Sequence, residues 1–275
     1  MDRSSHRARV LRYGADASTR TDDQLAAEEP LEIRIGEQPL TVMMRTPGHE
    51  RELALGFLFG EGIIRSARDV AAVHVIPNGE HPEIENVLEI DLTPDAPGVD
   101  RRWQRNFLAA SSCGLCGVST IEAIHQSAPP LPDDGLAIDP EIIYGLDARL
   151  RSEQAIFART GGLHAAGLFT LEGEPVVVRE DIGRHNAVDK VIGHAVERQL
   201  LPLDRHILMV SGRTSFEIIQ KALQARIPVL VAVSAPSSLA RDLAQASNQT
   251  LIGFLRGRSL NVYSGRQRIK QPAPA

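Results

Sequence analysis

The sequence predicts an α/β protein, a three-layer sandwich on a mixed sheet, preceded by a smaller α+β unit. Two observations carry this. From residue 140 onward, strand and helix patterns alternate after an initial hairpin, the signature of helices packed on both faces of a sheet. Before residue 93, strands flank a single helix, which is the pattern of a small α+β unit. Pro129-Pro130-Leu131-Pro132-Asp133-Asp134-Gly135 stands between the two as the clearest linker in the chain.

In chain order, residues 1–27 are polar, charged and without hydrophobic periodicity, and they read as a disordered or loosely attached arm. Residues 31–35 alternate apolar and polar. Gly36-Glu37-Gln38-Pro39 then turns the chain into residues 40–45, so the pair reads as a hairpin. A helix follows over residues 49–59, with Leu53, Phe57, Gly56 and Gly60 toward the buried side, and Gly60-Glu61-Gly62 ends it. Strands are expected at 70–76 and 84–92, a short segment at 103–110, and a short helix at 119–126. Beyond the linker come a helix over 140–157 and strands at 163–170 and 175–179, joined across Glu172-Gly173-Glu174. Then follow helix 187–200, strand 206–210, helix 215–225, strand 228–233, helix 238–246, and strands 250–255 and 261–263. The expected divisions are an arm (1–27), a small α+β unit (28–128), an α/β domain (136–265) and a tail (266–275).

Composition narrows the function. The apolar fraction of 43% supports a sizeable core. Aromatics make up only 4%, a poor basis for stacking on nucleic-acid bases. A net charge of −5 and a pI near 6.0 argue against generic binding to nucleic acid or to an anionic membrane. Arg3, Arg7, Arg9 and Arg12 open the chain without an apolar core behind them, unlike a secretory signal. No apolar run approaches the ~18 residues of a transmembrane helix. With two cysteines and no export signal, the expected compartment is the reducing cytoplasm.

Those two cysteines stand three apart, in Ser111-Ser112-Cys113-Gly114-Leu115-Cys116-Gly117. A chain that uses cysteine nowhere else does not use it for packing. Small neighbours let reactants approach closely, so the pair reads as sulfur chemistry on an exposed connection. A structural disulfide and half of a zinc site remain as alternatives.

Three polar clusters follow strands in the second half. They are Arg179-Glu180-Asp181-Ile182-Gly183-Arg184-His185-Asn186, Ser211-Gly212-Arg213-Thr214-Ser215 and Ser234-Ala235-Pro236-Ser237-Ser238. In an open α/β sheet, ligands gather at such junctions, where helix N-termini favour an anion. Arg179, Arg184, Arg213 and Lys221 are the candidate cations for phosphate. The plain alternative is that the hydroxyl residues are N-caps. Asp181 and His185 form either a proton-transfer pair or a support for Arg184, with support favoured. His164, in Thr160-Gly161-Gly162-Leu163-His164, either meets a ligand or is satisfied by backbone. Phe254-Leu255-Arg256-Gly257-Arg258-Ser259 reads as an anion clamp or as an ordinary solvated turn.

The thiol segment, together with residues 160–166, 179–193, 211–222, 227–240 and 253–263, resembles the FdhD family of formate dehydrogenase accessory sulfurtransferases. The resemblance covers most of the chain from about residue 30. It implies a cytidine-deaminase-like α/β fold. It also implies a sulfur carrier that takes sulfur from a cysteine desulfurase as a cysteine persulfide. The carrier passes that sulfur to the molybdenum cofactor, in its bis-molybdopterin guanine dinucleotide form, before insertion into formate dehydrogenase. Under this resemblance Cys113 carries the persulfide and Cys116 assists. Phe254, Leu255, Arg256, Gly257, Arg258 and Ser259 contribute to the cofactor site, with Arg184, His185, Ser211 and Arg213 added from the junctions. It also implies a homodimer, and no resident metal is expected. Arg226, and similarly Asn248, stand at turn positions where the family tends to carry glycine.

The chemistry agrees with the resemblance, because a sulfur acceptor must be an accessible thiolate and a persulfide is a reversible cap on one. A zinc nucleotide deaminase needs H-x-E before P-C-x-x-C. Here Ser112 stands where that motif needs the proline before Cys113. A thioredoxin-type dithiol needs a different order of elements. A zinc- or dithiol-based nucleotide-binding protein is the remaining alternative.

Overall fold

The structure, a computed structural model, describes residues 3–15, 17–76, 86–99 and 128–271. The thiol loop with Cys113 and Cys116, the segment 103–110, the helix expected at 119–126 and the start of the strand expected at 84 lie outside the described residues.

The described residues form three sheets. The largest has six strands in the order β12-β11-β10-β9-β7-β8. They are β7 (His164–Thr170), β8 (Pro175–Asp181), β9 (His206–Val210), β10 (Val229–Ala232), β11 (Thr250–Arg256) and β12 (Ser259–Ser264). β9, β10 and β11 run parallel, and β7, β8 and β12 antiparallel to their neighbours, so the sheet is mixed as expected. β9 shows how its residues choose this place. Ile207 and Met209 join a core under α2 (Pro140–Ser152), built from Ile143, Leu146 and Leu150. Leu208 and Val210 point the other way, into the core beneath α4 (Arg184–Glu197) and α5 (Phe216–Gln224). Burial on both faces explains why the strand is apolar throughout rather than alternating. α6 (Ser238–Ala246) completes the outer helix layer beside α5 and β11.

The second sheet has four strands in the order β4-β3-β6-β5. β3 (Glu29–Ile35) and β4 (Gln38–Arg45) form the expected hairpin. β6 (Val87–Leu92) pairs parallel to β3 and antiparallel to β5 (Val70–Ile76). The helix between these hairpins, α1 (Glu50–Gly60), is buried on several sides, which its nearly all-apolar sequence requires. One face meets Leu31, Ile33, Leu88 and Ile90, and another meets Val188, Val191 and Ile192 of α4. A single hydrophobic cluster therefore runs through both halves. The linker at 129–135 marks a boundary in the chain, not in the core.

Two expectations are corrected. The arm 1–27 is not featureless: β1 (Ser5–Tyr13) and β2 (Ser18–Ala26) pair antiparallel over nine residues as a separate ribbon. Its side chains are mostly polar or charged and largely face water, so no hydrophobic period betrays it. The helix expected over 140–157 breaks after Ser152. It resumes as the short α3 (Ala155–Thr160), whose first amides, Ile156 N and Phe157 N, donate to the Glu180 carboxylate at 2.9 and 2.7 Å.

The linker is strapped to the α/β body. Arg226 donates to the carbonyls of Pro129 and Pro130, and the Asn248 amide to those of Leu131 and Pro132. Both residues adopt positive φ, 64° and 54°. Both turns therefore take the left-handed conformation with a side chain present, and each side chain binds linker carbonyls. Among the described residues no helix is long and apolar enough to cross a membrane.

Candidate functional site

The polar clusters meet at one edge of the six-stranded sheet. β7 runs antiparallel to β9, so the beginning of β7 lies beside the end of β9. Ser211 N donates to Ala165 O at 2.9 Å, and Ala165 N donates to Ser211 Oγ at 2.9 Å. This tie sets His164 next to the loop after β9. A Cβ on Gly212 would lie 3.2 Å from His164 Nδ1 and 3.7 Å from Arg184 Cβ. Glycine here lets the loop, the histidine and the start of α4 close together. Burial, aided by Arg184 and Arg213, lowers the His164 pKa and keeps the ring neutral.

On the other side of Arg184, His185 Nε2 lies 2.8 Å from Ser215 Oγ and 3.4 Å from Glu217 Oε2. Ser215 is the N-cap residue of α5, yet its hydroxyl makes no capping bond and engages His185 instead. Burial first, then Arg184 and Lys221, drives the His185 pKa down to about 3. Burial lifts Glu217 to about 7 against the pull of Lys221, with Asp189 and Glu61 adding to the rise. The His185–Glu217 contact near neutral pH therefore joins a neutral ring to a carboxyl that holds a proton about half the time, not a salt bridge. Sequence reading missed Glu217. Its only signal was its place in the first turn of α5, two residues after the serine cluster.

The third cluster docks on the second. Thr214 N donates to Ala235 O, and Ser237 N to Thr214 O. Ser237 is an ordinary N-cap, its hydroxyl accepting from Ala240 N, so the plain reading holds there. Two side-chain atoms in this region, Arg184 Nε and Thr214 Oγ1, are buried and have no hydrogen-bond partner among the described residues. Unsatisfied buried groups are uncommon.

Other candidates turn out to be structural. Arg179 grips Glu52 of α1 with two bonds of 2.5 and 2.7 Å, and His194 Nδ1 lies 2.9 Å from the same carboxylate. Lys221 is buried against Asp189 at 2.8 Å, and burial's lowering effect is overcome by Asp189, Glu217 and Glu61, which raise its pKa. Neither cation is left to meet phosphate. Asp181 does not partner His185. It is fully buried, pairs with Lys190 at 2.7 Å, and accepts from Gly183 N and Asn186 Nδ2. That geometry organises the turn between β8 and α4, and the ion partner of Asp181 is Lys190, not the Arg184 that sequence favoured.

The 254–259 segment divides. Phe254, half-exposed with φ 53°, donates its N–H to Ser234 O at 3.3 Å and so borders the third cluster. Leu255 is fully buried in the core on the α2 side. Arg258 turns toward α2, pairs with Glu141 and sits 5.4 Å from the Tyr144 ring centre. Arg256, Gly257 and Ser259 are exposed in the turn. Only the beginning of this segment borders the polar clusters, through Ser234.

Comparison with known proteins gives a consistent result. A sequence model of the FdhD/NarQ family matches residues 26–270. A sulfur carrier protein FdhD from Streptomyces avermitilis is 49% identical over all of this chain and 99% of its own length. One from Mycobacterium tuberculosis is 48% identical, covering 97% of this chain and 98% of its own. One from Sulfolobus acidocaldarius is 43% identical, covering 90% and 92%. A crystal structure from Desulfotalea psychrophila, described as a formate dehydrogenase accessory protein, superposes with a TM-score of 0.79 at 23% identity. It covers 97% of this chain and 100% of that one, which shows the fold.

Proposed function

The chain belongs to the FdhD/NarQ family, and from that premise we propose that it is a sulfur carrier in formate dehydrogenase maturation. Cys113 is the acceptor. Its thiolate attacks the terminal sulfur of a desulfurase persulfide, forming the Cys113 persulfide and returning the donor thiol with a proton. Cys116 assists release. Its thiolate attacks the Cys113 sulfur, a Cys113–Cys116 disulfide forms, and hydrosulfide leaves with the electron pair of the broken S–S bond.

The recipient in this reading is the molybdenum cofactor, bound as substrate, and its phosphates are the groups the crevice suits. The observation that carries this assignment is the convergence of Arg184, Arg213 and His164 beside the N-termini of α4 and α5. There, Arg184 Nε and Thr214 Oγ1 lack partners among the described residues. Ser211 holds the loop, and His185 engages Ser215 at the N-terminus of α5. The cytoplasm is the compartment that fits a free dithiol.

The test is to incubate the purified protein with a cysteine desulfurase and cysteine, then weigh intact protein and peptides without reductant. One added sulfur mapped to Cys113, lost in Cys113→Ala and kept in Cys116→Ala, is the expected result. Bound zinc or a simple disulfide with no added sulfur overturns it.

A further inference from the structure

A cavity of about 400 Å³ lies beside β8, the end strand of the large sheet, and shares no lining residue with the crevice of Arg184 and Arg213. That volume falls in the range of small-molecule sites. Its walls are the loop 47–49 before α1, the break between α2 and α3, and residues 178–180 of β8, with Lys190 of α4. Both halves of the chain therefore contribute to it.

Two departures from regular structure border this cavity. His49 stands at φ 61° and ψ 34°, directly after Gly48 at φ 109°. Left-handed backbone is natural for glycine and strained for histidine. His49 makes no side-chain cap bond to α1, so capping does not account for its presence. The other departure is the break after Ser152. Gln154, between the lining residues Glu153 and Ala155, is 3% exposed, and its Nε2 has no hydrogen-bond partner among the described residues. Local strain and unmet polar groups gather at binding sites, where a ligand compensates them.

The lining selects the ligand. Lys190 is buried and gives its three donors to Thr46 O, Glu180 O and Asp181 Oδ2, and Arg179 is engaged by Glu52. Both add positive field without offering the main contacts. The Glu180 carboxylate accepts from the first amides of α3 with each of its oxygens, so it is already committed. Arg159 lies at the rim, 3.3 Å from Ser4 Oγ. Its guanidinium has five donors in a fork that matches a carboxylate. His49 is half-exposed on the same wall. Burial, then Arg179 and Lys190, lower its pKa against the pull of Glu52, so a neutral ring faces the cavity. Pro47, Ile156 and Val178 supply apolar wall between these polar groups.

We propose that this cavity binds a small organic carboxylate, its head held by Arg159 and His49 and its apolar body lying against Pro47, Ile156 and Val178. The ligand bridges the loop before α1 to the α/β body. The site is separate from the thiol pair and from the phosphate crevice, so it stands or falls independently of sulfur transfer.

Calorimetric titration of the full-length protein with isovalerate, paired with thermal melts, tests this. Binding is expected with a Kd of about 1 mM or tighter, and the melting midpoint rises with isovalerate concentration. Isovaleramide, of the same shape but uncharged, does not bind. Arg159→Gln weakens binding by about tenfold or more. Arg184→Ala/Arg213→Ala binds isovalerate as the wild type does, which separates the cavity from the crevice. His49→Gly also weakens binding, while its ligand-free midpoint does not fall, because glycine accepts the left-handed backbone. No binding of isovalerate, equal binding of the amide, or tighter binding of inorganic phosphate overturns the proposal. So does full affinity in Arg159→Gln or His49→Gly, or a loss in Arg184→Ala/Arg213→Ala.

Discussion

Gly56 of α1 and Gly193 of α4 lie back to back where the two helices cross. A Cβ on Gly56 would fall 1.8 Å from Asp189 O, and one on Gly193 would fall 1.7 Å from Glu52 O and 2.8 Å from Gly56 N. The helix of the small unit thereby touches the backbone of the α/β domain, and the common core closes around this crossing.

Alanine at either glycine therefore forces the helices apart. Gly56→Ala or Gly193→Ala is expected to cost about 3 kcal/mol or more, since backbone rather than a movable side chain is in the way. Gly145→Ala in α2 is the control. Nothing lies within 4 Å of its Cβ, and a helical alanine gains up to about 1 kcal/mol. Urea unfolding midpoints read both, and equal effects at the three positions would refute the crossing.

Glu52 binds the same crossing electrostatically. Burial alone would raise its pKa, but hydrogen bonds from Arg179 and His194 prevail and lower it. A depressed pKa contributes stability above the unfolded value, lost as pH falls through the folded one. Glu52→Gln is expected to destabilise by about 3 kcal/mol at pH 7, because it leaves the Arg179 charge with half a partner. The loss should shrink in acid, as measured by denaturation at several pH values.

Lys221 and Asp189 form the other buried pair. Lys221→Met strands the Asp189 carboxylate and is expected to cost about 3–5 kcal/mol. The double variant Lys221→Met/Asp189→Leu should recover most of it. If the double variant is as unstable as the sum of the singles, the two residues do not act as a pair.

Glu217 gives a pH signature. Its folded pKa of about 7 exceeds the unfolded 4.5, so folding takes up a proton and its cost grows as pH rises from about 4.5 to 7. His185, at about 3 against 6.5, does the reverse: its cost grows as pH falls from 6.5 toward 3. The two oppose each other where the windows overlap. Glu217→Gln leaves only the histidine, so its stability relative to wild type should rise between pH 4.5 and 7 by about 3 kcal/mol, then level off. An offset that is flat across that range would place the titration elsewhere.

Arg184 and Arg213 are expected to govern binding of the phosphate-bearing substrate. Replacing both by alanine should abolish retention of a guanine dinucleotide and its salt dependence, read by calorimetry, without changing the thermal midpoint. A matching loss in Arg258→Ala, which faces α2, would contradict the placement of the crevice.

Local pattern was enough for most of this molecule. Alternation and turn residues gave the order of strands and helices in the α/β half, and helix 238–246 agrees to the residue. The isolated cysteine pair pointed to sulfur chemistry. The ribbon escaped because charged strands in water carry no hydrophobic period, and the break at Glu153 escaped because Glu180, a distant residue, caps the next helix. The use of each cation was also a tertiary decision. Arg179, Arg184 and Arg213 are alike in sequence, all near strand-to-helix junctions, and Lys221 follows in the last turn of α5. Arg179 is taken by Glu52, 127 residues away, and Lys221 by Asp189, 32 residues away, while Arg184 and Arg213 converge beside His164. A charge becomes structural or available according to which opposite charge shares its buried surroundings, and folding alone sets that.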